Sequence, residues 1–208
     1  MIGFYNYTVI LTYVSLIISM CGIGCAMTHH PLAAIFCLMG SGFCDMFDGK
    51  IARTKKDRTE EECRYGIQID SLCDLVCFGV LPAVIGIMVS GLKWYMMAIA
   101  CIFILAGMIR LAYYNVTEET RQQETSEVRH KYVGLPITSS ALIMPVVYCF
   151  RELIGVHFHM VYAAMLLIVG LLFVLPIEIK KPKTKAMIAM LIAGLLIAAV
   201  LILTKYVL

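Results

Sequence analysis

Four carboxylates stand where an apolar chain would least be expected to carry them. Asp45 and Asp48 close one hydrophobic run, and Asp70 and Asp74 open another. Each costs about 2.5–3.5 kcal/mol on insertion scales when placed at the centre of a bilayer helix. Something must compensate them. Their spacing puts the members of each pair on one face of a helix. Hard divalent cations such as Mg²⁺ or Mn²⁺ take oxygen ligands of this kind and complete their shells with water and substrate phosphates. Two such ions clamp the attacking and leaving oxygens of a phosphoryl displacement. Without cations, four clustered carboxylates repel one another. The competing reading is a cation or proton pathway, since intramembrane acids also mark transporters. Against it, all four acids gather at one end of their runs instead of forming a relay across a membrane.

The neighbours of the acids are small. Ser41, Asp45, Asp48 and Ala52 share one face of a helical segment, with Gly42 and Gly49 beside it, and Gly66, Asp70 and Asp74 recur at one-turn intervals. Small residues flanking acids leave a groove for a ligand; helix packing of the small-xxx-small kind is the alternative use. Lys50 and Arg53, next to the first pair, suit a negatively charged substrate.

The elements that position these residues follow from composition. The 208 residues are 61% hydrophobic and 15% charged, with a mean hydropathy of +0.88. That excludes an ordinary soluble domain and indicates an all-α integral membrane protein, with residues 1–208 forming a single domain. Apolar runs fall at 7–27, 31–47, 67–90, 94–114, 134–150, 159–177 and 186–207. Most approach the ~20 residues needed to cross the hydrocarbon core. The expected fold is a polytopic bundle of six to seven transmembrane helices.

Basic residues orient the bundle. Lys50, Arg53, Lys55, Lys56, Arg58 and Arg64 follow the second run; Arg110, Arg121, Arg129 and Lys131 follow the fourth; Lys180, Lys181, Lys183 and Lys185 follow the sixth. Only Lys93, Arg151 and Lys205 fall in the alternate set. The basic loops, and the acids with them, are expected at the cytoplasmic face of a cell membrane, where they address anionic headgroups and not nucleic acid. No basic residue precedes Lys50, so the first run lacks the charged start of a secretory signal and reads as a retained helix. The interval 54–65 reads as a polar loop whose Glu60, Glu61 and Glu62 complement the dipole of the next helix.

The remaining signals have bland readings. Asn6 and Thr8 suit a helix cap or a bound water, with a substrate role as the lesser reading. His29, His30 and Pro31 form a solvated outer turn, and the nine cysteines, with no CxxC pair, read as small apolar residues. Arg110 is either a snorkelling anchor or a substrate contact, Tyr113 and Tyr114 suit an interfacial belt, and Thr138, Ser139 and Ser140 face either a neighbouring helix or a polar cavity. The last two runs read as scaffold.

Asp45-x2-Asp48-Gly49-x2-Ala52-Arg53, followed by Gly66-x3-Asp70-x3-Asp74, resembles the signature of CDP-alcohol phosphotransferases. The interval between Arg53 and Gly66 is longer than is usual in that family. DSLCDLVCFGVLPA (70–83), RLAYYN (110–115) and GLP (134–136) look like stretches of its bacterial phosphatidylserine synthase branch, with Tyr113 standing where that branch usually has arginine. The similarity covers about 5–150. The resemblance implies a dimeric enzyme with six spanning helices in its core. It would transfer a phosphatidyl group from CDP-diacylglycerol to L-serine and release CMP. It implies two Mg²⁺ or Mn²⁺ ions on Asp45, Asp48, Asp70 and Asp74, with Asp74 also the general base. Gly49 and Arg53 would contact the cytidine diphosphate portion, with Ala52 and Gly66 leaving room for it. Arg110 is the candidate for the serine carboxylate. Within the family, glycerol 3-phosphate or inositol phosphate is the alternative acceptor, with Arg110, Arg121 and Lys131 as its basic cluster.

Overall fold

The computed structural model describes residues 3–52, 54–55, 57, 59–124, 131–180 and 184–207. Among them, six helices are long and apolar enough to cross a membrane. The chain is a multi-pass membrane protein.

A side-chain cap fixes the first element. Asn6 Oδ1 accepts from the Thr8 backbone N–H at 3.0 Å, opening a 3₁₀ turn over Tyr7–Val9 that runs into α1 (Ile10–Met27). The chain reverses at His29, with φ of 61°. Then α2 (Pro31–Ala52) starts on a proline, where a missing N–H costs nothing. Hydroxyls stitch α1 to α2: Ser41 Oγ donates to the Ser15 carbonyl at 3.1 Å, and the Ser19 and Ser41 hydroxyls bond at 2.7 Å. Ser41 is therefore buried in a helix contact instead of sharing a ligand groove with Asp45 and Asp48.

The helix carrying the second acid pair, α3 (Glu60–Asp74), starts earlier than the apolar pattern indicates. The Glu62 N–H donates to Thr59 Oγ1 at 3.1 Å and the Thr59 N–H to Glu62 Oε2 at 3.2 Å, a capping box. The Glu62 carboxylate also takes Lys55 Nζ at 2.7 Å and Asn6 Nδ2 at 3.2 Å. Half of the expected loop is thus helix, and Glu62 ties the start of α1 to the start of α3.

After Asp74 the helix widens. Leu75–Val80 is π-helical, and α4 (Leu81–Val89) completes a continuous 30-residue span, Glu60–Val89. α5 (Trp94–Glu124) has 31 residues. At 1.5 Å per residue it is about 46 Å long and outruns the ~30 Å hydrocarbon core. The polar stretch that follows the fourth apolar run therefore begins as helix.

β1 (Lys131–Val133) pairs antiparallel with β2 (Glu178–Lys180), Tyr132 opposite Ile179. Between them lie a 3₁₀ turn (Ile137–Ser139), α6 (Ser140–Cys149), α7 (Arg151–Ile154) and α8 (Phe158–Val174). The fifth expected run is the short one. Ile137–Cys149 falls below the length of a full span, which is why the expectation of six to seven helices resolves as six long ones and one short. The last element is α9 (Thr184–Val207). Ile35 and Leu38 from α2, Phe78, Leu81 and Ile85 from the third span, Phe103 from α5, Met144 from α6 and Tyr162 and Leu166 from α8 form the buried centre.

Candidate active site

Asp45 of α2 meets Asp70 and Asp74 of α3. One carboxylate oxygen each from Asp45, Asp70 and Asp74 lies within 4.8 Å of the other two. Asp48 is buried and stands outside this triad.

Two cavities meet at these acids. The larger, about 990 Å³, is lined at one end by Asp45, Asp70, Asp74, Lys50, Arg110 and Tyr114. The smaller, about 330 Å³, is lined by Thr8, Thr12, Asp48, Ala52, Cys63 and Gly66. Gly49 and Asp70 line both. The carboxylates are therefore the partition between two chambers.

The donor set fits a hard cation. It consists of carboxylate oxygens alone, the ligand type that Mg²⁺ and Mn²⁺ prefer, and a cation relieves the repulsion among clustered negative groups. The nearby thiols are otherwise engaged: Cys73 Sγ donates to the Thr12 carbonyl at 3.2 Å and lies 3.6 Å from Cys77 Sγ.

Other candidates from the sequence divide between the chambers. Gly49, Ala52 and Gly66 border the smaller one. A Cβ on Gly49 would meet nothing within 4 Å, so the absence of a side chain leaves room for a ligand and not for a neighbouring helix. Arg53 lies outside the described residues, as does Arg129. Arg110 is only 9% exposed and sits 5.4 Å from the centre of the Tyr114 ring. It faces the larger cavity, so the snorkelling reading gives way. The two tyrosines part company: Tyr113 points outward at 56% exposure, as a belt residue does, whereas Tyr114 lines the cavity.

Thr138 and Ser139 also line the larger cavity, while Ser140 is buried. Their placement depends on Gly134, whose φ is 78°. The Gly134 N–H donates to the Ile177 carbonyl and the Leu135 N–H to the Leu172 carbonyl, both at 2.9 Å. A Cβ on Gly134 would lie 2.4 Å from the Phe173 carbonyl oxygen. This glycine thus lets the chain press against the end of α8 before it turns into the cavity wall.

Sequence reasoning passed over Thr12, Cys63 and the α9 residues that wall the larger cavity, and it read Thr8 first as a cap, with a substrate role as the lesser alternative. The i, i+4 spacing of Thr8 and Thr12 was an available signal for the first pair. The α9 residues are apolar and carry none.

The family model for CDP-alcohol phosphatidyltransferase matches residues 5–208. The chain belongs to the CDP-alcohol phosphatidyltransferase family. The match reaches well past residue 150 and takes in α8 and α9. Among relatives, the CDP-diacylglycerol–serine O-phosphatidyltransferase of Saccharomyces cerevisiae is 37% identical over 122 residues, 58% of this chain and 42% of the yeast protein. That of Helicobacter pylori strain 26695 is 28% identical over 142 residues, 67% of this chain and 56% of its own. The protein of the same name from Methanocaldococcus jannaschii is 29% identical over 157 residues, 75% of this chain and 68% of its own. The chain spans about half the length of the yeast and Helicobacter relatives.

Proposed function

We propose that this protein transfers the phosphatidyl group of CDP-diacylglycerol to the hydroxyl of L-serine, forming phosphatidylserine and releasing CMP. The observation that carries the reading is the meeting of Asp45, Asp70 and Asp74 within 4.8 Å in a cavity that Arg110 also lines. The names of the relatives support serine as the acceptor.

Asp45, Asp48, Asp70 and Asp74 would hold two Mg²⁺ or Mn²⁺ ions, which when bound neutralise charge on the phosphoryl oxygens. The chain's own groups do the rest. Asp74 accepts the proton of the serine hydroxyl as general base. The serine oxygen forms its bond to the β-phosphorus while the bond from that phosphorus to the bridging oxygen breaks, and CMP leaves with the electron pair. Ala52 and Gly66 give the cytidine portion its room in the smaller chamber, Gly49 contacts the cytidine diphosphate portion there, and the family resemblance assigns Arg53 a contact to the same portion. Arg110 takes the serine carboxylate through paired N–H donors, a geometry that arginine matches better than lysine. The excess of Lys and Arg in the loops beside the acids supports a cytoplasmic face for this chemistry, and the family resemblance supports a homodimer.

Lys50 shares the larger cavity with Arg110, and two cations there favour a second reading in which the acceptor carries a phosphate. Purified protein supplied with CDP-diacylglycerol, Mg²⁺ or Mn²⁺ and one acceptor at a time separates the two. Serine-dependent CMP release with phosphatidylserine as product is expected. Release with glycerol phosphate or inositol phosphate alone would sink the serine assignment. Ion flux in proteoliposomes without any CMP release would sink the enzyme reading altogether.

A further inference from the structure

The smaller chamber is walled by three separate stretches of chain. Thr8 and Thr12 come from the first span, Gly49 and Ala52 from α2, and Cys63 and Gly66 from α3. One carboxylate reaches all three stretches from outside the chamber's lining. Glu62 immediately precedes Cys63 and stands one helical turn before Gly66. Its two oxygens accept from Lys55 Nζ at 2.7 and 2.9 Å, three residues beyond the end of α2. Oε1 also accepts from Asn6 Nδ2 at 3.2 Å. Asn6 passes the tie on, because its Oδ1 accepts from the Thr8 N–H at 3.0 Å and from the Thr8 hydroxyl. Thr8, a buried wall residue, is thereby fixed in the same network.

A second tie runs through Tyr7. Thr54 Oγ1 donates to the Ile51 carbonyl, at the end of α2, at 2.7 Å. The one hydroxyl proton of Thr54 is thus used, so the Tyr7 hydroxyl donates to Thr54 Oγ1 at 3.1 Å. The turn before α1 therefore holds α2 through Tyr7 and α3 through Asn6.

These contacts exceed what a helix cap or a surface pair requires. Thr59 and Glu62 complete the capping box by themselves, with no need of Lys55 or Asn6. The Lys55 and Glu62 side chains are 25% and 14% exposed, whereas Glu60, at the same helix start, meets Arg64 with its side chain 81% exposed. We propose that Glu62 is a positioning residue for the nucleotide portion of the donor. It sets the spacing of the three walls, and so the affinity of the smaller chamber for cytidine nucleotides, without touching them. The inference rests on the reading of that chamber as the cytidine site.

Glu62→Gln separates the tie from the cap, because glutamine completes a capping box as glutamate does but brings no charge to Lys55. Calorimetry of CMP binding with Mg²⁺ present and steady-state CMP release provide the readouts. In Glu62→Gln and in Lys55→Met, Kd for CMP and KM for CDP-diacylglycerol should rise together by about three- to thirtyfold, the range over which residues outside a site modulate it. The kcat and the KM for serine should stay at wild-type values, a split that general loosening of the fold would not produce. The double variant should do no more than either single one, because both cut the same tie. Glu60→Gln, in the exposed pair, should leave every constant unchanged. Thermal unfolding establishes that each variant is folded; should Glu62→Gln not fold, Lys55→Met decides. A folded variant with a wild-type Kd for CMP would overturn the positioning role, as would a loss carried by kcat alone. Wild-type protein that binds no CMP would instead overturn the reading of the chamber on which the role rests.

Discussion

Ser71 of α3 donates to Asn115 Oδ1 of α5 at 2.9 Å, and Asn115 Nδ2 donates to Gln68 Oε1 at 3.4 Å. Ser71 adjoins Asp70, and Asn115 adjoins Tyr114, the ring under Arg110. This side-chain bridge sets the register of the carboxylate helix against the helix that carries the arginine. Asn115→Ala should cost about 0.5–1.5 kcal/mol of stability. Ser71→Ala should cost a similar amount, and the double variant little more than either alone, because the two share one bond. Serine-dependent CMP release should fall in all three. Thermal unfolding beside turnover checks this, and additive losses would refute the coupling.

Asp74→Asn removes the proposed base while keeping its shape. Turnover should fall by about 10²–10⁴-fold, the usual worth of a positioned base. The fold should persist, since one negative charge leaves a crowded cluster. Near-normal turnover in a folded variant would take Asp74 out of the base role.

Chelation should abolish CMP release, and Mg²⁺ or Mn²⁺ should restore it. The cation should also stabilise the fold, by about 2.7 kcal/mol at a hundredfold excess over Kd. Asp45→Asn should shrink that stabilisation, which thermal unfolding with and without metal measures. Undiminished turnover in excess chelator would contradict the assignment of the acids to a metal.

Arg110→Lys keeps the charge but loses the paired donors. A charge-assisted bond is worth about 1.5–3 kcal/mol, so KM for serine should rise by about tenfold or more with KM for the donor little changed. A rise confined to the donor KM would place Arg110 on the nucleotide instead.

Gly134→Val should be among the most damaging changes outside the acids. It combines a φ of 78° with a Cβ position 2.4 Å from the Phe173 carbonyl oxygen. A cost of about 1–3 kcal/mol is expected from the backbone conformation alone. The wall bearing Thr138 and Ser139 should shift with it, so KM for the acceptor should rise in any variant that still folds. An unchanged thermal midpoint would mean that the close approach to α8 is dispensable.

The acids were legible because intramembrane carboxylates are costly and their helical spacing is unambiguous. The spans were legible because hydropathy reports them directly. Helix ends were less so. The start of α3 was written in Thr59 and Glu62, a capping pair, but the apolar onset at 67 drew the boundary inward. The polar end of α5 continues as helix because nothing in Val116–Glu124 breaks one, although its composition resembles a loop. Tyr113 and Tyr114 are adjacent and identical in type, so only the helix's rotation decides which faces the cavity. The role of α9 as a wall left no trace, because an apolar residue facing a cavity and one facing lipid look the same in sequence.

The π-helical stretch between Asp74 and Leu81 divides one rod into two independently aimed segments. Its wide turn offsets the rotation of the lower half from that of the upper. Asp70 and Asp74 look toward α2, while farther along Pro82 takes the Tyr162 hydroxyl at 3.2 Å and Gly86 lies against the Tyr162 ring. One continuous span thus serves two neighbours at once, with its carboxylates at α2 and its Pro82 and Gly86 against α8.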